Sequence, residues 1–448
     1  MSFSAALFRV LAGAAVATVV GYSLARFFTD GVTRVEKLAW SFAAGFLVQS
    51  LLYVVCVSIL PGSGSAPILV LDVVIVAASL AARRRLGNRP PLARPPATVL
   101  ALAALVLAFI AWLVFLVQAV AEPMWATDYL AMWGLKGKTI FETGSLPRRL
   151  FQDPALEWGR PDHPLLVPLS LATLAMFSGE WNDQALALYF PLCELATILG
   201  VWGFLARRVS PAAGAATAAL VSLCFPLYRA VNAGLAEIPL AFALVLASCA
   251  FFDALGTGSR SAMRRLALAS LLAAWTKPEG TLFVLLLAAV LFVRQRGRFV
   301  DTWTRGGWAL VVPPVLHSSL MVFLARPRAP RDFDPTFLEP SRWSELLSRF
   351  GSVVARILGT ELLGAWVPVV AVALFFLLTR RGLADPLLAV FALQFLAYLA
   401  AFSISPFDPM WKVDSCYQRI MATLFPAFAL VLGARLGGER AGQPVGIA

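Results

Sequence analysis

The stretch Thr98–Val120, TVLALAALVLAFIAWLVFLVQAV, decides the fold class of this chain because it contains no charged residue. A helix needs roughly 20 consecutive apolar residues to cross the hydrocarbon layer of a membrane. Similar runs recur from end to end, and the whole chain is 60% hydrophobic and 14% charged, with a mean hydropathy of +0.79. Lipid leaves the backbone only helices or a closed barrel. We therefore expect an all-α polytopic membrane protein.

The apolar runs predict about thirteen membrane-inserted helices. Three of them form an N-terminal group in residues 1–97, followed by a membrane core in 98–304 and further spans in 305–448. The individual spans are predicted near 6–26, 38–60, 66–82, 98–120, 184–206, 211–229, 235–255, 306–325, 361–379, 385–404 and 419–436, with a two-armed hairpin in 266–293.

The loop AARRRLGNRPPLARPP, between the spans at 66–82 and 98–120, holds five arginines and predicts the orientation. Short basic loops stay in the cytoplasm. Alternation then places the other short basic clusters inside and the segments 121–183, 326–360 and 405–418 outside. The run Leu165–Phe177 is too short to cross, so we expect it to lie at the outer membrane surface. The net charge of +12 comes largely from the inner loops, and no nucleic-acid partner is expected.

A break interrupts the apolar segment 266–293 at Thr276-Lys277-Pro278-Glu279-Gly280. Proline and glycine disfavour a continuous helix and predict a helical hairpin here. Its tip points outward, with Lys277 and Glu279 at membrane depth, where charges need a polar cavity or a partner.

Polar residues collect in the predicted outer segments. Asp128 lies in WATDYLAMW, and the segment 128–143 has aromatic and aliphatic residues at helical spacing, as in a helix along a membrane surface. Each residue also has a simpler interpretation: Asp128 as a solvated acid, Lys277 as a snorkelling or paired lysine, the arginines at 326–331 as headgroup anchors, and His163 as a structural histidine.

Taken in order, these features resemble the membrane glycosyltransferases of the GT-C superfamily, which include protein O-mannosyltransferases and lipid A aminoarabinose transferases. The resemblance covers roughly residues 98–436. It rests on WATDYLAMWGLKGKTIFETGSLP, PDHPLLVPL, a span that ends in ARR, a proline followed by GLAEIPL, TKPEG, and the closing YQRIMATLFPAFALVLG. Two departures leave metal use and donor type open, because Tyr129 follows Asp128 where a second acid is familiar, and Glu237 stands where Asp is common.

The resemblance implies transfer of a sugar from a polyprenyl-phosphate carrier to an acceptor hydroxyl on the periplasmic face of the inner membrane, with inversion. Asp128 would be the general base, and the acceptor a glycan, a lipid or a protein. No cofactor is assigned, and His163, Glu142 and Glu237 are candidates for holding a divalent metal. The candidate substrate-binding residues are Lys277, Glu237, Arg326, Arg328, Arg331, Arg419, His163 and Tyr129.

Two other classes of function stay open. A flippase or transporter of a lipid-linked substrate would also use charges such as Lys277 inside the membrane, but it would show internal repeats or acids near the midplane. An O-antigen polymerase or ligase would share the outward-facing arginines without requiring the Asp128 motif.

Overall fold

The computed structural model describes residues 2–62, 66–86, 98–224, 233–294, 303–325, 334–361 and 385–437. The structure is 85% helical, and the described residues contain no strand. The prediction of an all-α protein is therefore confirmed.

Fifteen of the described helices are used below and are numbered in chain order. They are α1 Phe3–Ala25, α2 Arg34–Ile59, α3 Ala66–Leu86, α4 Val99–Ala121, α5 Gly134–Thr143, α6 Leu166–Ser178, α7 Tyr189–Arg208, α8 Pro211–Ser222, α9 Glu237–Thr257, α10 Arg260–Thr276, α11 Pro278–Arg294, α12 Trp308–Ala325, α13 Trp343–Arg356, α14 Pro386–Ser403 and α15 Pro409–Leu436.

Seven described helical segments are long and apolar enough to cross a membrane, which fits a multi-pass membrane protein. They are α1, α2, α4, the segment Asp183–Arg208 that contains α7, α9, α14 and α15. The predicted span at 361–379 lies almost entirely outside the described residues. The count of thirteen inserted helices stays a prediction.

Helix α9 lies at the centre of the bundle and is buried along almost its whole length. It packs against α7, α10 and α15. Helices α1 and α2 pack against each other and against α6, so the N-terminal helices share one hydrophobic core with the rest of the chain.

Basic side chains from distant parts of the chain meet at one end of this bundle, the arginine end. Arg207 bonds to Glu36 at 2.9 Å and to Asp253 at 3.0 Å. The Asp253 carboxylate also forms ion pairs with Arg208 at 2.5 Å and with Arg265 at 2.8 Å. Clusters that the sequence assigns to one side of the membrane therefore do lie together.

The opposite end of α9 begins at Glu237, about 24 Å from Asp253 at 1.5 Å of rise per residue. Lys277, between α10 and α11, and Arg419, the first residue of the predicted final span, lie at this same end, called the site end below.

Two predicted surface helices pack their apolar residues against protein instead. Helices α1, α2 and α5 pack around α6 and bury its residues Leu166–Ala175. This helix therefore contacts protein along most of its length rather than lipid. In the segment 128–143, the side chains of Tyr129, Trp133 and Ile140 point into the core rather than towards a membrane surface.

Two predicted outer loops are helical. Helix α15 begins at Pro409, ten residues before the predicted span, because Asp408 caps it by accepting from the Trp411 amide and proline suits the first helical position. The described part of 326–360 contains α13, whose apolar residues repeat at helical spacing.

Candidate functional site

Asp128 lies in the first helical turn after the end of α4. The backbone amide of Ala126 donates to the carbonyl of Ala233 at 3.2 Å, which fixes the incoming chain beside the start of α9. A π-helical turn, Tyr129–Trp133, follows and leads into α5. Such turns are rare and occur often at functional sites.

Tyr129, a predicted substrate-binding residue, is buried and anchors this turn. Its side chain is 1% exposed, and its hydroxyl donates to Asp183, which also accepts from the Trp181 indole at 2.8 Å. Gly234 has a φ of 75°, and a Cβ there would approach the Tyr129 ring to 2.8 Å. Burial and the carboxylate of Asp183 raise the pKa of the Tyr129 phenol, so it remains a hydrogen-bond donor.

Lys277 lies where α10 stops and α11 starts, so the predicted helix break is confirmed. The break lets the chain fold back tightly, because a Cβ on Gly280 would lie 2.1 Å from the carbonyl of Ala273. The Lys277 ammonium is 3.2 Å from Glu237 and 3.2 Å from Glu279. This largely covered lysine is therefore paired with two carboxylates.

Arg419 joins this group from α15. Its Nη1 donates to Asp128 Oδ2 at 2.7 Å and lies 3.9 Å from Glu237 Oε1. Its Nε is buried and has no hydrogen-bond partner among the described residues. Glu237 thus lies between the two cations and holds both of them at the site end.

The cluster is open on one side and closed on the other. Asp128 and Arg419 keep 34% and 32% of their side-chain surface, whereas Lys277 keeps 11% and Glu237 only 3%. Three carboxylates, those of Asp128, Glu237 and Glu279, face two cations. An incoming anion therefore has to compete with carboxylates that already occupy the lysine and the arginine.

His163 lies on a loop that Lys136 holds in place, close enough to Lys277 for their charges to interact. The Lys136 ammonium donates to the carbonyls of Arg160 at 2.5 Å and His163 at 3.3 Å, and the His163 ring packs 5.6 Å from that of Trp133. Burial, reinforced by nearby cations that include Lys277, lowers the pKa of His163 well below its ordinary value. The imidazole is therefore neutral at pH 7 and adds no positive charge to the site.

Of the remaining candidates, the structure describes Glu142 alone. Arg326, Arg328 and Arg331 lie outside the described residues. Glu142 is exposed and pairs with Lys138 on its own helix. Among the residues that the structure describes, no group of three or more His, Cys, Asp or Glu side chains is arranged to hold a metal ion. The proposed triplet of His163, Glu142 and Glu237 therefore does not fit a metal site.

Sequence reasoning missed two polar side chains of α14 that lie beside Glu279. Gln394 donates to the backbone carbonyl of Glu279 at 3.3 Å and to the hydroxyl of Tyr398 at 2.7 Å. Within the predicted span 385–404 they read as isolated polar residues in an apolar run. Their spacing of four places them on one helix face, which was the available signal.

Comparison of the chain with protein-family models, with curated proteins and with solved structures gives no match. The arguments for a function therefore rest on the site and its position in the bundle.

Proposed function

We propose that this protein is an integral membrane glycosyltransferase that moves a sugar from a polyprenyl-phosphate donor to an acceptor hydroxyl. The observation that carries the proposal is the meeting of Asp128, Glu237, Lys277 and Arg419, which four separate segments bring to one end of an apolar bundle. An accessible carboxylate beside two fixed cations matches the needs of a base and an anionic leaving group.

Asp128 is the proposed general base. The acceptor oxygen attacks the anomeric carbon, and its proton passes to the Asp128 carboxylate as the new glycosidic bond forms. The bond from the anomeric carbon to the phosphate oxygen breaks, and its electron pair leaves with the polyprenyl phosphate. Direct displacement inverts the anomeric centre, so no enzyme nucleophile is needed. Proton removal by a positioned base contributes about 10²–10⁴-fold.

Lys277 and Arg419 are the proposed ligands of the phosphate, whose negative charge grows as the donor bond breaks. Arg419 is suited to this role because its unpaired Nε and its Nη atoms offer a planar set of donors for two phosphate oxygens. When the phosphate takes the arginine, the Asp128 oxygen that Arg419 occupies becomes available to the acceptor.

The membrane arrangement completes the proposal. The site end faces the periplasm of a cell with an inner membrane, the arginine end faces the cytoplasm, and about thirteen helices are inserted. The polyprenyl tail stays among membrane lipids, and a glycan, lipid or protein reaches Asp128 from outside. The clustering of Arg207, Arg208 and Arg265 supports this orientation through the preference of basic residues for the cytoplasm.

Donor turnover tests the proposal. Purified protein in liposomes is given undecaprenyl phosphate carrying a radiolabelled sugar, together with an extract of envelope acceptors. We expect release of undecaprenyl phosphate and label on an acceptor, and we expect Lys277→Gln to raise the KM for the donor about 10–100-fold through loss of a charged contact. The proposal is contradicted if none of a panel of hexose, pentose and aminosugar donors supports transfer.

A second candidate function, transport of a lipid-linked substrate, is favoured by acids inside the spans. Glu194 in α7 is 1% exposed, and both its carboxyl oxygens have no hydrogen-bond partner in the described part of the chain. Asp72 in α3 is also buried and accepts from Gln49 at 2.6 Å. Unpaired acids in spans often carry protons in transporters.

A further inference from the structure

Three polar side chains form a small cluster, the α14 polar patch, next to Lys277, the proposed phosphate ligand. They are Glu279 at the start of α11 and Gln394 and Tyr398 on α14. Glu279 connects the patch to the site, because one of its carboxyl oxygens, Oε1, is 3.2 Å from the Lys277 ammonium. The patch is therefore continuous with the charged cluster.

Two hydrogen-bond acceptors in the patch are unused. Glu279 Oε2 and Gln394 Oε1 are buried, and neither has a partner within the described ranges. Gln394 is completely buried, and its amide nitrogen already donates to the Glu279 backbone carbonyl and to the Tyr398 hydroxyl. Leaving a buried acceptor unpaired is costly, so two such acceptors in one patch call for an occupant that donates.

The required occupant has several donors close together and tolerates an adjacent aromatic ring. The Tyr398 hydroxyl accepts from Gln394 and still carries a proton to donate. Sugar hydroxyls both donate and accept, and one ring presents them at the separations of neighbouring side chains. A purely apolar occupant, such as the polyprenyl tail, would leave both acceptors unsatisfied.

We propose that the α14 polar patch binds the hydroxyl groups of the transferred sugar, with Gln394 and Glu279 accepting and Tyr398 donating. The proposal rests on the proposed glycosyltransferase function and assigns its sugar subsite. The sugar then lies on one side of the phosphate ligands Lys277 and Arg419. Specificity follows, because a donor lacking a matched hydroxyl leaves a buried acceptor unpaired.

Binding of two probes separates the sugar contribution from the phosphate contribution. The first probe is undecaprenyl phosphate, and the second is a panel of undecaprenyl-phosphate sugars with hexose, pentose or aminosugar headgroups. With the full chain in detergent, we expect at least one sugar-bearing lipid to bind about tenfold more tightly than the bare phosphate lipid. This corresponds to about 1.4 kcal/mol. Gln394→Leu and Tyr398→Phe should reduce that ratio towards one and leave the Kd of undecaprenyl phosphate unchanged.

Gln49→Leu is the matched control, because Gln49 is equally buried but bonds to Asp72 in another part of the bundle. It should keep the wild-type ratio. Tyr398→Phe keeps the aromatic ring, so this variant still tests the proposal if Gln394→Leu fails to fold. The proposal is overturned if the wild-type protein binds no sugar-bearing lipid more tightly than undecaprenyl phosphate, or if both patch variants keep the wild-type ratio of the two affinities. A buried water would then be the occupant. If undecaprenyl phosphate binds tightly and Lys277→Gln does not weaken it, the proposed function itself fails.

Discussion

Replacement of Asp253 by Asn is expected to destabilise the protein strongly without touching the candidate site. The Asp253 carboxylate accepts from Arg207, Arg208 and Arg265, which belong to α7 and α10, and it is 3% exposed. Asp253 is the shared acceptor of these three arginines, so the change removes a carboxylate from three cations whose side chains are almost fully buried. Removing one partner of a buried ion pair costs about 3–5 kcal/mol.

The assay is unfolding of the purified protein in detergent, followed by its helical signal in a denaturant titration. The matched control is Asp414→Asn, because Asp414 also pairs with an arginine, Arg356 at 2.9 Å, but both side chains are well exposed. An exposed pair contributes at most about 1 kcal/mol. Equal unfolding midpoints for the two variants would refute the view that this cluster holds the helix ends together.

Three further predictions concern single side chains. Burial lowers the pKa of Lys136 from its ordinary value of 10.5 to about 7. The unfolded chain binds more protons between these values, so stability should rise with pH from about 7 to 10, and Lys136→Met should remove that rise in unfolding titrations. Arg419→Lys keeps the charge but loses the planar fork, so the donor KM should rise about tenfold, and less than in Arg419→Gln; a wild-type KM in Arg419→Lys would exclude bidentate phosphate binding. Glu194→Gln and Asp72→Asn should leave initial transfer rates within about twofold of wild type, and loss of transport in flipping assays with normal transfer would instead favour the second candidate function.

The fold class and the grouping of charges could be predicted from the sequence because an apolar chain makes every charge conspicuous. Apolar runs in a chain with few charges leave lipid as the only plausible surroundings. Asp128, Glu237, Lys277 and Arg419 lie at ends or breaks of predicted helices on one predicted side, and the structure brings these four together. Alternation of short basic loops predicted a common side for them without any knowledge of packing.

Packing decides what the sequence left open. Helical spacing of Tyr129 and Trp133 describes a face, but it does not say whether lipid or protein covers that face. The Tyr129 hydroxyl finds Asp183 more than fifty residues away, a contact that no local pattern reveals. Gln394 likewise becomes part of the site only because α14 packs on α11.

The most direct test of the central claim compares Asp128→Asn with Asp183→Asn in the sugar-transfer assay. Both acids lie at the site end, but Asp183 only accepts hydrogen bonds from Tyr129 and Trp181, which an asparagine oxygen also does. We predict that Asp128→Asn reduces kcat by about 10²–10⁴-fold while binding of undecaprenyl phosphate and folding persist, and that Asp183→Asn keeps most of its activity. An Asp128→Asn variant that transfers sugar at the wild-type rate would contradict the assignment of Asp128 as the base.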